Sequence, residues 1–501
     1  MQSTEKFKHM VDEHVNELES KFNVLNSSNH VVNLNNLLFQ NKKPSLMNQI
    51  TPDQIQSLQQ QFADVDIIVG LILSGGTETC HSPWYALMEK NSYIYPKYVY
   101  LCSFKKKKRL CNKCQSPIFL TLFAKKKKSK SAKMTPLAKK NLFYNSLAAA
   151  IEIREYFRNH LIPSQLCNTH DRSSFEHALQ QYADNISVLG KYLNFKFGLI
   201  GDISPWLINE QSVLSTNHYF QRRVQRIGKQ ELKDTFSAIE GNKNGDNGTV
   251  GSEEKKKRVQ KMLEPIIANA VEISDVSQSD LWIAGKIHYA LMEIIDKYKL
   301  NGMTLGCFDL IGDLGATPCL SLALINGMDN CSTGQKKISA ACEGELTSLL
   351  AMTVVKEFCD EKPFMANLTE FDNESNTVTF SHCTAPLTIG KNTYSVVSHF
   401  ESGKGVSLDV DLIGHRRESS PQATILKLRD RDVVIANATI VQQQHVDCRC
   451  RTQLKLKMVN PQTSVSDFID QTLGNHHLIS YVPFDKLKHI FQVLGFRVHC
   501  F

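Results

Sequence analysis

The sequence predicts an α/β protein in which two successive parallel-sheet units are followed by an antiparallel, β-rich C-terminal region. Three observations carry this. Short, almost wholly apolar runs end in glycine-rich turns, as where Asp66–Leu73 (DIIVGLIL) meets Ser74-Gly75-Gly76, the pattern of strands buried on both faces. These runs alternate with amphipathic segments such as Asn145–Phe157 and Leu281–Lys299, which points to crossover helices on a parallel sheet. Beyond about residue 365 the period changes to alternating apolar and polar residues, the mark of half-buried antiparallel strands.

Taken in order, residues 1–23 place Phe7, Val11, Val15, Leu18 and Phe22 on one helical stripe, and the Asn-rich residues 24–48 form a linker. Asp66–Leu73 and Tyr98–Cys102 are strands of the first unit, and Asn145–Phe157 is a helix. A second unit opens with a strand at Phe195–Ile200, followed by Gly201-Asp202-Ile203-Ser204-Pro205-Trp206. Gly241–Lys257 reads as a flexible loop by composition. Helix Leu281–Lys299 carries Ile283, Ile287, Leu291, Ile294 and Tyr298 on one face, and Asn301-Gly302 turns the chain into a buried strand, Met303–Ile311. Asn376–His382, Val406–Ile413, Asp432–Val441 and Gln453–Val459 are the alternating strands. The expected divisions are residues 1–48, 49–192 with an insertion at 105–140, 193–340 and 341–501.

Composition narrows the function classes. At 501 residues, 42% hydrophobic and 22% charged, the chain can bury several cores, which excludes a disordered protein or a fibre. No apolar run approaches the ~20 residues of a membrane helix, and the N-terminus lacks the apolar segment of a signal peptide. The expectation is a cytoplasmic protein whose 14 cysteines are reduced thiols. The net charge of +8 is local: residues 105–140 hold 14 Lys and Arg and no acid, leaving 44 basic against 50 acidic residues elsewhere. A mildly acidic body argues against nucleic-acid binding. The basic segment, with one Cys111-Asn112-Lys113-Cys114 pair and few aromatic residues, reads as a solvated, disordered insertion, because a single CxxC supplies only two zinc ligands.

A few polar residues stand out by position. Asp309 falls near the end of the predicted strand Met303–Ile311, the edge where α/β sheets build sites; the plainer reading is a capping acid. Glu343 and Glu345 precede the helical segment Leu346–Phe358, where the macrodipole favours carboxylates. His382 ends an alternating strand on the inward face of Val378 and Phe380, and an inward histidine is more often a hydrogen-bonded core residue than a ligand. His476 and His477 follow a helix opened by a Ser464/Asp467 capping box and stopped by Gly474. Carboxylates and imidazoles together suit a divalent metal, although ligands spread over some 170 residues prove nothing by spacing.

Leu73–Glu78 (LSGGTE), Asn145–Glu152 (NSLAAAIE), Gly198–Trp206 (GLIGDISPW), Thr304–Leu310 (TLGCFDL), Ala341–Met352 (ACEGELTSLLAM), Phe380–Pro386 (FSHCTAP), Cys450–Gln453 (CRTQ) and Gly474–His477 (GNHH) occur in one order along the chain. This series resembles the L-fucose isomerase / L-arabinose isomerase superfamily over roughly residues 60–500, apart from the lysine-rich insertion and the 241–257 loop. The resemblance implies two Rossmann-like domains and a barrel-like C-terminal domain. It also implies a cytoplasmic homo-oligomer (trimer or hexamer) and an aldose–ketose isomerase acting on an open-chain pentose or 6-deoxyhexose of the L-fucose, L-arabinose or D-arabinose type. The implied cofactor is a divalent metal, Mn²⁺, held by Asp309, Glu343, His382 and His476. Glu343 and Asp309 would be the catalytic acids, and Glu345, His477, Glu78 and Trp206 would lie near the sugar. Glu345 departs from the family, which has Asp there, and the doubled histidine leaves the choice between His476 and His477 open. The alternative is a relative that retains the fold as a carbohydrate-binding or scaffolding protein.

Overall fold

The computed structural model describes residues 186–240, 249–328, 337–414, 421–460 and 462–501, together with Glu155 and four short strands nearer the N-terminus. Two of those strands, Ile68–Gly70 and Val99–Leu101, pair in parallel, inside the runs expected as the first two strands. Thr121–Leu122 pairs in parallel with Cys167–Asn168. The first of these lies inside the lysine-rich segment, so that insertion is not wholly loop. The N-terminal helix, the linker and Glu78 fall outside the described residues.

The chain divides into two compact units, residues 1–193 with 493–495, and residues 194–492 with 496–501. The second unit contains a parallel sheet in the order β2-β1-β4-β5, made of β1 (Phe197–Ile200), β2 (Val224–Ile227), β4 (Gly302–Leu305) and β5 (Ser339–Ala341). β1 and β4, both fully buried, form its centre. The helix between the flanking strands, α5 (Gln278–Tyr298), starts at a capping box between Ser277 and Asp280 and buries Leu281, Ile287, Leu291 and Ile294. It ends at Lys299 in the left-handed conformation, next to the Asn301-Gly302 turn.

Two sequence expectations need correction. Thr249–Asn269 is a helix, so only the first part of Gly241–Lys257 can be loop. Glu and Lys are good helix formers, and the Glu253–Lys256 and Glu254–Arg258 ion pairs align three and four residues apart on its surface. The strand expected over Met303–Ile311 stops at Leu305, and Asp309 is the first residue of a short helix, α6 (Asp309–Leu314). Gly306 marks the break: a side chain there would come within 2.9 Å of the Asp202 carbonyl oxygen, so the chain must leave the sheet without one.

The same unit contains a barrel. Strands β6 (Phe364–Asp372), β7 (Thr377–His382), β10 (Gln422–Arg429), β11 (Asp432–Gln444), β12 (Thr452–Met458) and β13 (His476–Ser480) run in the order β10-β13-β6-β7-β12-β11, and β11 returns to β10. Every pairing around this ring is antiparallel. Closure removes the exposed edges that an open antiparallel sheet would carry. At 13 residues, β11 is long enough to pair with β12 through its C-terminal half and with β14 (Arg497–Cys500) through its N-terminal end. A smaller sheet joins β8 (Tyr394–Ser398) to β9 (Val406–Val410) and to β3 (Glu272–Ser274). One apolar cluster, with Leu281 and Ala284 of α5, Val378 and Phe380 of β7, Leu454 and Leu456 of β12, and Phe468, runs through parallel-sheet helices and barrel alike. Among the described residues no helix is long and apolar enough to cross a membrane.

Candidate functional site

Three loops leave the C-terminal edge of the parallel sheet side by side: residues 201–206 after β1, 306–308 after β4 and 342–345 after β5. That edge is where open α/β sheets bind ligands. The loops lock together through small residues. Gly344 has φ of +79°, and a Cβ on it would sit 2.6 Å from Ile203 Cα. The Ser204 N–H donates to the Glu343 carbonyl (2.9 Å), the Glu343 N–H donates to Cys307 Sγ (3.4 Å), and the Cys307 and Cys342 thiols touch at 2.8 Å.

Glu343 adopts φ of +62° although it is not glycine. Backbone held in that region costs of order 1 kcal/mol and persists where surrounding contacts enforce it. The contacts here are the interlocked loops, and the result aims the side chain at Trp206, whose indole Nε1–H donates to Glu343 Oε2 at 2.6 Å. Trp206 is braced edge-on by Phe308, which in turn meets His399 edge-on.

Glu343, Phe308 and the thiols of Cys307 and Cys342 line a cavity of about 460 Å³. Its opposite walls come from the barrel and the neighbouring sheet: Asn367 to Thr369 of β6, Ser381 and His382 at the end of β7, His399 to Glu401 after β8, Cys448 to Cys450 after β11, and Asn475. The volume and the polar lining suit a ligand the size of a monosaccharide. Burial, then the neighbouring His476 and His399, hold His382 well below the usual histidine pKa, so it is neutral. Its Nδ1 is bonded to Thr384 Oγ1 at 2.7 Å. Burial, then the charge of Glu343, raises the Glu401 carboxyl. His399 is lowered to about 4, chiefly by burial and secondarily by Arg451.

Behind His382 lies a buried polar cluster. His476 is fully buried and meets His382 edge-on, with ring centroids 5.2 Å apart. Its Nδ1 is bonded to Glu345 Oε2 at 2.6 Å, and its Nε2 has no hydrogen-bond partner among the described residues. Glu345 also forms an ion pair with Lys427 of β10, both nearly inaccessible to solvent. Burial alone would raise the Glu345 carboxyl; Lys427 and His476 outweigh it and lower its pKa to about 2. Nearby Glu210 accepts from the Thr347 N–H (2.7 Å) and Oγ1–H (3.1 Å), and burial with the Glu345 charge raises it to about 7.

The residues singled out from the sequence thus occupy different places. Glu343 and His382 line the cavity and Trp206 holds Glu343. His476 stands directly behind His382, with Glu345 behind it. Asp309 is half exposed, forms an ion pair with Lys229, and is not part of the cavity wall. His477 points the other way along β13, against Phe380 and Phe468, bonded to Thr472 and lowered to about 3 mainly by burial. Glu401, Arg449 and His399 carry no sequence signal: each sits in a loop between strands, and only the meeting of the β8–β9 and β11–β12 connections, where Arg451 Nε donates to the Ser398 carbonyl at 3.0 Å, brings them to one cavity.

For a divalent metal the donor chemistry fits: a neutral imidazole, a second imidazole with a buried, unpartnered Nε2, and a carboxylate. Among the described residues, however, no three His, Cys, Asp or Glu side chains are placed together so as to hold a metal ion.

No protein-family model matches the chain. It is similar to two curated proteins named sulfoquinovose isomerase, from Priestia aryabhattai and Priestia megaterium, each 23% identical over 248 residues. The match covers 48% of this chain, and the chain spans about half the length of these relatives (50%). At this coarse level the similarity is to sugar isomerases.

Proposed function

We propose that the protein is an aldose–ketose isomerase acting on an open-chain sugar in the cavity beneath Glu343. The observation that supports this most is a single carboxylate, held out of ordinary backbone geometry by interlocked loops and gripped by Trp206, on the wall of a sugar-sized polar cavity. Isomerisation moves a proton between C1 and C2 through a cis-enediol, which needs a positioned base and a partner acid at the oxygens. Glu343 is the proton-moving carboxylate. Glu401, whose carboxyl is raised by burial and then by the Glu343 charge, faces the same cavity and is the candidate partner acid at the oxygens. Asp309, expected as the second acid, is engaged with Lys229 here, so the proposal rests on Glu343. His382 stays neutral and Thr384 fixes its ring.

The residues that would hold a divalent ion, Mn²⁺ by preference, are His382, His476 and Glu343; such an ion would supply Lewis-acid stabilisation of the enediolate oxygens. Glu345 holds the His476 ring through Nδ1, so that Nε2 would be the atom to face such an ion. The sugars to assay are L-fucose, L-arabinose and D-arabinose, and, from the relatives' name, sulfoquinovose. Purified protein is incubated with each aldose, before and after exhaustive chelation, and the ketose of unchanged mass is measured. Ketose formation lost on chelation and restored by Mn²⁺ is the expected result; no ketose from any of these sugars, with Mn²⁺ supplied, removes the proposal.

A further inference from the structure

Six of the eight described cysteines, Cys307, Cys319, Cys342, Cys383, Cys448 and Cys450, line the same cavity, and all are free thiols. Isomerisation uses no thiol, so sulfur gathered on this wall has another chemistry available to it. Cys307 Sγ and Cys342 Sγ lie 2.8 Å apart. The parallel sheet brings them together. β4 and β5 pair with Thr304 beside Ala341, and paired strands run about 4.8 Å apart. Cys342 follows Ala341 directly and Cys307 stands three residues past Thr304, so both chains leave the sheet as neighbours. That spacing falls within the Cα separation of about 4.4–6.8 Å that a disulfide spans. Closing the sulfurs from 2.8 Å to a bond of about 2.05 Å takes less than about 1 Å of movement.

Buried cysteines in apolar surroundings are inert, but this pair faces a cavity of about 460 Å³ with a polar lining. That space is far larger than the room of about 10–15 Å³ that a single water requires, so a small polar oxidant fits beside the sulfurs. The pair also holds the loop that carries Glu343. Cys342 immediately precedes Glu343, and the Glu343 N–H donates to Cys307 Sγ at 3.4 Å. Any change in the bonding of these sulfurs therefore reaches the residue held at φ of +62°.

From this geometry we propose that Cys307 and Cys342 form a modification site at which hydrogen peroxide, entering the cavity, converts the two thiols into a disulfide that displaces Glu343. One sulfur attacks a peroxide oxygen; the O–O bond breaks, and the departing hydroxide leaves as water with that thiol's proton, which makes a sulfenic acid. The other sulfur attacks the oxidised one; the S–O bond breaks, and the second hydroxide leaves as water with the second thiol's proton. Each sulfur gives up one electron, and one peroxide becomes two waters. The site stands on the sulfur geometry alone, whereas a loss of turnover through Glu343 rests on the isomerase reading.

The full chain is reduced, freed of reductant, treated with a small excess of hydrogen peroxide and stopped with catalase. Free thiols are then blocked with N-ethylmaleimide, and the protein is digested without reductant for mass spectrometry. A peptide cross-linked between Cys307 and Cys342 is expected, absent before treatment and lost after dithiothreitol. Ketose formation should fall about 100-fold in the oxidised protein, the effect of misplacing a reacting group by about 1 Å, and return on reduction. Cys383 and Cys450 are also hydrogen-bonded to each other on this wall, so Cys383→Ser separates the pairs: measured against its own untreated sample, it should form the same cross-link and show the same loss. No cross-link between Cys307 and Cys342, cross-linking confined to Cys383 and Cys450, or a complete Cys307–Cys342 disulfide with ketose formation unchanged overturns the inference. The disulfide forming in a protein that makes no ketose from any aldose would uphold the site and sink the isomerase reading; ketose from a protein that forms no disulfide would do the reverse.

Discussion

Trp206 and Glu343, 137 positions apart in sequence, are joined by an indole N–H to carboxylate hydrogen bond of 2.6 Å. The bond exists because Gly344 lets the loop after β1 lie directly against the loop after β5. A hydrogen bond to a charged acceptor contributes about 1.5–3 kcal/mol, and here that energy fixes one carboxylate rotamer at the cavity wall. Trp206→Phe retains a ring against Phe308 and removes only the donor. Isomerase kcat should fall about 10- to 100-fold, in line with that energy, with KM nearly unchanged and an unaltered circular dichroism spectrum. Glu343→Gln should cost about 1,000-fold or more if it moves the proton, as general acid–base groups alone supply 100- to 10,000-fold. Equal kcat for the wild type and Trp206→Phe would show that the bond does not position Glu343.

Gly344→Ala tests the loop interlock itself. The new Cβ would stand 2.6 Å from Ile203 Cα, a backbone atom that cannot swing aside, at a φ of +79° that alanine disfavours. The variant should lose about 2–3 kcal/mol in urea unfolding, the range of strain plus overpacking, and lose activity with it. Gly312→Ala is the control: nothing lies within 4 Å of its Cβ position, φ there is ordinary, and its stability should not fall.

The Lys427–Glu345–His476 cluster predicts an asymmetry between single and paired substitutions. Removing one member of a buried ion pair strands the other charge and costs about 3–5 kcal/mol, whereas replacing both by apolar groups of similar volume is often neutral. Lys427→Met should therefore lower the unfolding free energy by that amount, and adding Glu345→Met to it should recover part of the loss. Metal affinity gives the second readout. Losing Glu345 frees the His476 ring to turn, so the double variant should refold yet bind Mn²⁺ about 10- to 100-fold more weakly, the usual effect of removing an orienting partner. Wild-type affinity in the double variant would show that Glu345 does not orient the imidazole.

Much of this arrangement was legible in the residues, and the exceptions have physical causes. β7 announces itself as Thr377–His382 because apolar and hydroxyl residues alternate along it, although all six are buried, and the helix Val465–Gln471 announces itself through its Ser464/Asp467 capping box. His382 could be placed for the same reason. Asp309 could not: an apolar run continues through Cys307 and Leu310, so periodicity extends the strand past Gly306, where packing against Asp202 ends it. The lysine-rich start of the helix over Thr249–Asn269 was hidden because its charges pair with one another, a matter of spacing on a helix that composition does not reveal. Glu401 and Arg449 lie in connections between strands, and nothing local distinguishes them from any exposed charge. Their shared place on the cavity depends on the β8–β9 connection meeting the β11–β12 connection, the kind of long-range fact that a local pattern cannot contain.

Glu210 makes stability depend on pH in a direction opposite to the usual carboxylate. Its folded-state pKa is about 7, raised from 4.5 by burial and then by the Glu345 charge, so the native state favours the protonated acid. The unfolded chain gives up this proton near pH 4.5, the native protein near pH 7. Below pH 4.5 both states hold it and there is no penalty; between the two values the unfolded state gains from ionisation, and above 7 the full cost applies. Stability from this group is therefore present at low pH and lost as pH rises from about 5 to 8, by about 3 kcal/mol if all of the shift is expressed. Glu345 acts in the reverse sense: with its pKa lowered to about 2, its contribution is complete above pH 4.5 and disappears only in acid. In Glu210→Gln the amide can still accept from the Thr347 N–H and donate to its hydroxyl, so the fold is kept and the proton is removed from the balance. Urea unfolding at pH 5 and pH 8 should show the variant gaining on the wild type by up to about 3 kcal/mol across that interval, the two curves meeting near pH 5. Parallel curves from pH 5 to 8 would mean that Glu210 ionises in the native protein as readily as in the unfolded chain, and that the burial around Thr347 does not hold the proton.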